Sequence, residues 1–340
     1  GFSTSGGGGY EFVNGTYTSG ASSPGIVNSD LTWFVSKITD VGLDISLFKS
    51  RINIEFDIYQ RDRTGLLAKR NLSLPNTFGG TLPEENLNSD RVRGLDFVVA
   101  YNDKVQDFTY GVSVNFNFAR TMQKYVERAE YRSSMDKWRN GTTDRWNDVL
   151  WGYDQIGQFQ NDEELIHSPL QNGSMGNLRE LPGDFKYEDV NGDGIIDGND
   201  QLPLFWSGQP KLFYGINLSA GWKGFDFNAL LQGSGKYSVR FNEIYSTMLW
   251  VGGNTPEYFY DRWHRADPYD TNSEWIPGKW PAVRQSADVG TMYLESKVWR
   301  RDASYLRIKS VELGYTIPSK VTRHFMVDRV RLYANAHNLY

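Results

Sequence analysis

Residues 189–200 read Asp-Val-Asn-Gly-Asp-Gly-Ile-Ile-Asp-Gly-Asn-Asp, a spacing that can hold a hard cation. Asp189, Asn191 and Asp193 fall at positions 1, 3 and 5 of a calcium loop, Gly194 supplies the sharp turn at position 6, and Asp200 closes it at position 12. Position 7 offers the carbonyl of Ile195, and Asp197 at position 9 binds directly or through a water. Four carboxylates and one amide gathered so closely repel one another unless a cation neutralises them. The sequence therefore predicts a structural Ca2+ held by Asp189, Asn191, Asp193, Ile195, Asp197 and Asp200, against the alternative of a plain turn. Asp200 stands where EF-hand loops carry Glu, and its shorter arm has less reach for a bidentate clamp. The nearer match is thus the dockerin-like variant. Gly183 and Tyr187 before the loop and Pro203 after it leave no EF-hand helix pair.

Other groups that could do chemistry are weaker. Trp250, Tyr258, Phe259, Tyr260, Trp263, Tyr269, Trp275 and Trp280 crowd one segment, a density suited to stacking on sugar or peptide. The alternative is that they pack the segment on itself or form an interfacial girdle. Trp263, Trp275 and Trp280 are the candidate ligand contacts, because polar residues surround them. His167, His264, His324 and His337 lie far apart in sequence, with no zinc-helix motif and no Gly-x-Ser-x-Gly elbow. Glu84-Glu85 and Glu163-Glu164 are adjacent pairs that point apart, as on solvated loops. Gly233-Ser-Gly-Lys236 lacks the first glycine of a phosphate loop and reads as a fraying strand end. The expectation is no enzyme.

The elements that carry these groups are strands. The chain has 340 residues, 15% aromatic, with 34 glycines, and no cysteine, which removes disulfide frameworks and zinc–thiolate sites. A net charge of −5 with scattered basic residues provides no field for nucleic acid. No run of eighteen apolar residues occurs, which excludes a transmembrane helix and leaves a β-barrel open. Phe108, Tyr110, Val112, Val114, Phe116 and Phe118 alternate with Thr109, Gly111, Ser113, Asn115, Asn117 and Ala119. That length suits a tilted membrane strand of about 9–11 residues better than a soluble one of about 5–6. Ile52, Ile54, Phe56 and Ile58 repeat the pattern, as do Phe225, Phe227, Ala229 and Leu231; Glu55, Asp57 and Asp226 then face a wet lumen. Further strands are expected over 41–48, 93–101, 212–222, 304–315 and 330–340, making eight, with a bulge or rise above the membrane near Lys309.

Connections alternate in length. Those at 49–50, 102–106 and 223–224 are short, whereas 61–90, 121–210 and 235–300 are long, as in outer-membrane barrels with short periplasmic turns and long extracellular loops. The connection over 318–328 falls on the short side and has room for a helical turn. Residues 1–30 read as a Gly/Ser-rich flexible loop. Asn161, with Glu164 three residues on, caps a short helix through Ile166 inside the longest loop.

The motifs, in order, resemble the SusC/RagA-type TonB-dependent transporters of the outer membrane. Asn28-Ser-Asp-Leu-Thr-Trp33 is followed by Gly42-Leu-Asp44, by Asp57-Ile-Tyr-Gln-Arg-Asp-Arg-Thr64 with Leu66-Leu67, and by Arg93-Gly-Leu-Asp-Phe97. Then come Gly157-Gln-Phe-Gln160, Glu163-Glu164, Pro182-Gly-Asp184, Tyr214-Gly215 and Lys223-Gly-Phe-Asp226. Asp302-Ala-Ser-Tyr-Leu-Arg-Ile-Lys309, Leu313-Gly-Tyr-Thr-Ile-Pro318 and Asn338-Leu-Tyr340 resemble the signature near the C-terminus of that family.

The resemblance implies an all-β fold, part of a 22-strand antiparallel transmembrane β-barrel. It further implies a bilayer setting in the outer membrane of a Gram-negative cell, import of an oligosaccharide or peptide, a SusD-like surface lipoprotein as lid, and energy from TonB. Residues 31–340 are then a C-terminal portion of the barrel, with the calcium loop inside the 121–210 extracellular loop. The plug, the TonB-contact region and the closing strands lie outside this sequence, and Tyr340 is read as a truncation point. Two rivals remain: a soluble calcium-braced β-sandwich that binds carbohydrate, and a secreted glycan-cleaving enzyme, which requires two carboxyl groups about 5–10 Å apart.

Overall fold

The computed structural model describes residues 9–13, 16–19, 26–70, 82–171, 175–284 and 293–339. Residues 1–8, 14–15 and 20–25 of the Gly/Ser-rich segment, and Tyr340, lie outside these residues. Within the Gly/Ser-rich segment, β1 (Gly9–Val13) and β2 (Thr16–Ser19) pair as a small hairpin, so part of that loop is ordered as strand.

One antiparallel sheet organises the rest. Its strands are β3 (Val35–Leu47), β4 (Ile52–Lys69), β5 (Glu84–Val105) and β6 (Phe108–Tyr125), with β7 (Arg145–Trp146) added above. Between β7 and the next long strand lie β8 (Val149–Gly152), β9 (Gln155–Gln158), β10 (Phe185–Tyr187) and β11 (Leu202–Trp206), paired as β8–β11 and β9–β10. The sheet resumes with β12 (Leu212–Trp222) and β13 (Phe225–Gly235). The third long segment holds β14 (Ser238–Arg240), β15 (His264–Arg265), β16 (Trp275–Ile276) and β17 (Arg300–Asp302). The sheet ends with β18 (Tyr305–Thr316) and β19 (Arg331–His337). Its order is β19-β18-β13-β12-β6-β5-β4-β3, so the eight strands expected from alternation are all present as neighbours.

Register explains the alternation. Paired residues of antiparallel strands share a face, so one row runs Leu43, Phe56, Phe97, Phe116, Tyr214 and Gly233 across six strands. The row below it runs Ile45, Ile54, Val99, Val114, Ile216, Leu231 and Ile308. The opposite face carries Asp57, Asp96, Asn117, Asn115, Asn228, Asp226 and Glu312. There Arg331 spans Asp226 and Glu312, an ion-pair network facing water, not a core.

The apolar face is uncovered: Val41 is 63% exposed, Ile58 52%, Leu313 54% and Leu332 63%. A β-sandwich would bury this face against a second sheet, and among the described residues nothing covers it. Eleven-residue β12 rises about 37 Å at about 3.4 Å per residue, enough when tilted to cross an apolar band about 25 Å tall. The sheet is a section of barrel wall.

Above the band, the strands outlast the alternation. β4 and β5 pair up to Lys69 and Glu84, within the stretch expected to be loop from 61 to 90. Charges hold this extension: Arg63 with Asp90, Arg91 with Asp62 at 2.5 Å, and Arg70 with Glu85 at 2.7 Å. The bulge expected near Lys309 is present, since Leu230 pairs with Ser310 and Leu231 with Ile308, skipping Lys309. The 318–328 connection contains the helical turn α3 below, introduced after α1 (Ser134–Asn140) and α2 (Asp162–His167) as α3 (Ser319–Thr322). Asn161 caps α2 through its Oδ1, which accepts from the Glu164 N–H at 2.8 Å.

Candidate functional site: the loop cluster above the wall

The described residues of the long segments 126–211 and 236–304 fold together at one end of the sheet, opposite the short turns at 48–51, 106–107 and 223–224. Their core contains Tyr153, Phe185, Tyr187, Ile196, Met248, Phe259, Trp280, Val298 and Trp299.

The 189–200 segment is coiled by its own acids. Asp189 accepts from the N–H groups of Gly192 and Gly194, Asn191 from Asp193, and Asp193 from Ile195, all at 2.8–3.0 Å. Gly192 and Gly194 have φ of 72° and 81°, the left-handed region that the turn at position 6 needs. Fully buried Asp200 closes the loop with both oxygens, accepting from Val190 at 2.9 Å and Asp197 at 2.8 Å. Asp197 caps the next turn by accepting from Asn199 at 2.7 Å. The donor types and the coil suit a calcium ion. Among the described residues, however, no group of three or more His, Cys, Asp or Glu side chains stands close enough to hold a metal. The loop is docked by Leu170, which donates to Gly194 O and accepts from Ile196, each at 2.8 Å, so that Ile196 enters the core.

The candidate tryptophans divide. Trp280 is 7% exposed, stacked on Trp299 at 5.4 Å and edge-on to Phe259 at 5.2 Å. Trp263 is 3% exposed and lies over Gly183, where an added Cβ would meet its ring at 2.3 Å. Neither offers a ring face to a ligand. Trp275 is half-buried with the Arg265 guanidinium 4.1 Å from its centre.

Beneath Trp263, Asp184 is fully buried and pairs with Arg284 at 2.8 Å. Desolvation pushes its carboxyl up to about 8 against the pull of Arg284, and the neighbouring Glu180 adds to the rise. Glu164 has a structural role too, in an ion pair with Lys186 at 2.9 Å.

Sequence reasoning missed Arg120, Arg139 and Arg145. Arg120 makes a two-pronged pair with fully buried Asp148 at 2.7 and 2.8 Å while lying over the Trp146 and Trp206 rings. Arg139 and Arg145 lie over Trp151. The signal was the alternation of Trp and Arg in 138–151, Trp-Arg-Asn-Gly-Thr-Thr-Asp-Arg-Trp-Asn-Asp-Val-Leu-Trp. Such runs in a loop are ordinarily taken for solvated charge.

No family model matches the chain. The chain is similar to TonB-dependent receptor P3 of Formosa agariphila, 28% identical over 97% of this chain and 32% of the relative. It is also 23% identical to TonB-dependent receptor P26 of the same organism, over 96% of this chain and 32% of that protein. It thus spans about a third of the length of the curated relatives it matches. The RagAB peptide importer in its open-open state shares the fold, with a TM-score of 0.67 and 18% identity over 98% of this chain and 34% of that one. Its closed-closed state matches with a TM-score of 0.65 over the same shares. Similarity to TonB-dependent receptors runs along nearly the whole chain in sequence, and the same strand arrangement recurs in the RagAB importer, so the chain resembles the SusC/RagA-type TonB-dependent receptors and has the fold of part of their barrel.

Proposed function

We propose that the chain is the lipid-facing and loop-bearing portion of an outer-membrane importer that takes up a nutrient oligosaccharide, with peptide as the second substrate class, using energy delivered by TonB. The observation that carries this reading is the unbroken apolar face across eight strands, backed by a polar and charged inner face. That pattern fits lipid outside and water inside. The first and last strands, β3 and β19, each have one edge without a partner among the described residues. Open edges in lipid cost several kcal/mol for each unsatisfied backbone group. The remaining two thirds of a protein as long as the relatives would supply the strands that close the barrel.

The RagAB importer is a complex by its name, which supports a SusD-like surface lipoprotein seated on the loop cluster as lid. We further propose a structural Ca2+ in the 189–200 loop, held by Asp189, Asn191, Asp193, the Ile195 carbonyl, Asp197 and Asp200. It would brace the loop on Leu170 and Ile196.

Uptake tests the import reading. A strain lacking the intact protein should lose accumulation of a labelled nutrient oligosaccharide mixture, and loss of TonB should abolish it equally. Undiminished accumulation in both strains defeats the proposal. For calcium, titration calorimetry on the intact protein should show binding that Asp189→Ala with Asp193→Ala removes; unchanged affinity overturns the assignment.

A further inference from the structure

Arg139 and Arg145 hold their guanidinium carbons 4.7 and 5.6 Å from the centre of one ring, that of Trp151. Two like charges over one ring repel. Burial, together with the Arg145 charge, holds Arg139 below the ordinary arginine range. Nearby acids do not relieve this, because Asp148 is taken by Arg120 and Asp144 by Lys124. Among the described residues neither Arg139 nor Arg145 is in an ion pair with a carboxylate. The Nη1 of Arg145 is buried with no hydrogen-bond partner.

Both arginines line a cavity of about 480 Å³, within the range of small-molecule sites. Its wall includes Asn88, Gln123, Thr142 and Asn147 and has no Asp or Glu, in a chain whose net charge is −5. Arg145 pairs with Gln123 across β6 and β7. That places both on the inner face, above Asn117 and Asn115, at the top of the lumen. The 189–200 loop holds Arg139 in position: its Nε donates to Gly198 O at 3.3 Å, and its Nη2 donates to Gln201.

We propose that this cavity is a recognition subsite for the carboxylate of an acidic saccharide entering the lumen. The assignment rests on the import reading and gives it a substrate class. A carboxylate supplies the missing negative charge, and the planar fork of a guanidinium matches its two oxygens. The amides of Gln123 and Asn147 and the hydroxyl of Thr142 can donate and accept, as sugar hydroxyls require. The apolar part of the lining is Trp146 and Trp151 with Val126 and Val149, and flat indole surface of this kind suits contact with a sugar ring.

The test is titration calorimetry on the intact outer-membrane protein in detergent. The probes are tetragalacturonate, its carboxyl-reduced neutral counterpart, and tetraglutamate. Tetragalacturonate should bind at least about tenfold tighter than the neutral probe, and added salt should erode the difference. Arg145→Gln, which leaves the bonds of Arg139 to the calcium loop intact, should remove that tenfold preference and keep neutral binding within about twofold. Arg145→Lys should restore part of it, charge without fork. Equal binding of acidic and neutral probes, or an acid preference indifferent to Arg145→Gln, overturns the subsite. Tighter binding of tetraglutamate overturns the saccharide assignment. Failure here with oligosaccharide uptake intact removes only the subsite, whereas loss of the import reading would appear as uptake indifferent to deletion.

Discussion

The wall and the loop cluster are built for opposite solvents. In the wall the large side chains point away from the protein and the charges point in, and Ala229 is the only buried apolar residue of the long strands among those described. In the loop cluster the order is reversed: Trp299, Tyr187, Phe159 and Phe259 are almost wholly buried, and buried acids such as Asp148 and Asp200 are held by an ion pair or by backbone N–H groups. The wall draws stability from backbone ladders and lipid, the cluster from the hydrophobic effect in water. One chain therefore contains two sets of rules, and the same substitution has different consequences in each.

Trp299→Ala should have the largest effect, about 3–5 kcal/mol from an emptied core site, because Trp299 touches Trp280, Phe185 and Tyr293. Limited proteolysis should then cut the loop cluster while the strands stay protected; equal sensitivity of both regions would erase the contrast. In the wall, Ile216→Arg should cost about 2–4 kcal/mol near the bilayer midplane, while Asn217→Arg, one residue along and facing the lumen, should be tolerated. Amounts of folded protein in outer membranes measure this, and equal loss from both would break the two-faced account.

The raised pKa of Asp184 sharpens the comparison through pH. Its folded-state pKa is raised above the unfolded value, so the stability it contributes is present at low pH and is lost as pH rises toward about 8. Glu180, Arg284 and Tyr187 face the same carboxyl. The thermal transition of the loop cluster should fall between pH 6 and 8, by at most about 1.4 kcal/mol per pH unit. Asp184→Asn should flatten this slope, and a transition rising over that range contradicts the assignment. The smallest effect is expected from Asn161→Ala, about 1 kcal/mol from the lost cap of α2, seen as faster amide exchange confined to 162–167.

The contrast also explains what was legible in the sequence. Lipid imposes a period of two, so the eight strands could be read from residues such as Phe108 to Phe118, and a break in phase at Lys309 marked the bulge. Where the strands rise into water the constraint ends, and the pairing of Arg63 with Asp90 and of Arg70 with Glu85 hid strand inside what read as loop. In the cluster, Asn161 and the turn glycines announced themselves through local backbone needs. Trp263 and Trp280 did not, since an aromatic residue in a long loop looks the same whether it waits for a ligand or packs over Gly183. The Trp and Arg alternation around Arg139 and Arg145 was open to a solvated reading for a related reason: only the fold shows that the acids around them are already engaged.

The central claim is that the apolar face of the sheet meets lipid and the other face meets water. The chain has no cysteine, so single cysteines at 213 through 220 on β12 of the intact protein can each carry a spin label in reconstituted bilayers. The account predicts oxygen accessibility peaking at the even positions, 214, 216, 218 and 220, and accessibility to a water-soluble nickel chelate peaking at the odd ones. Chelate accessibility at every position, or the opposite phase, would contradict it.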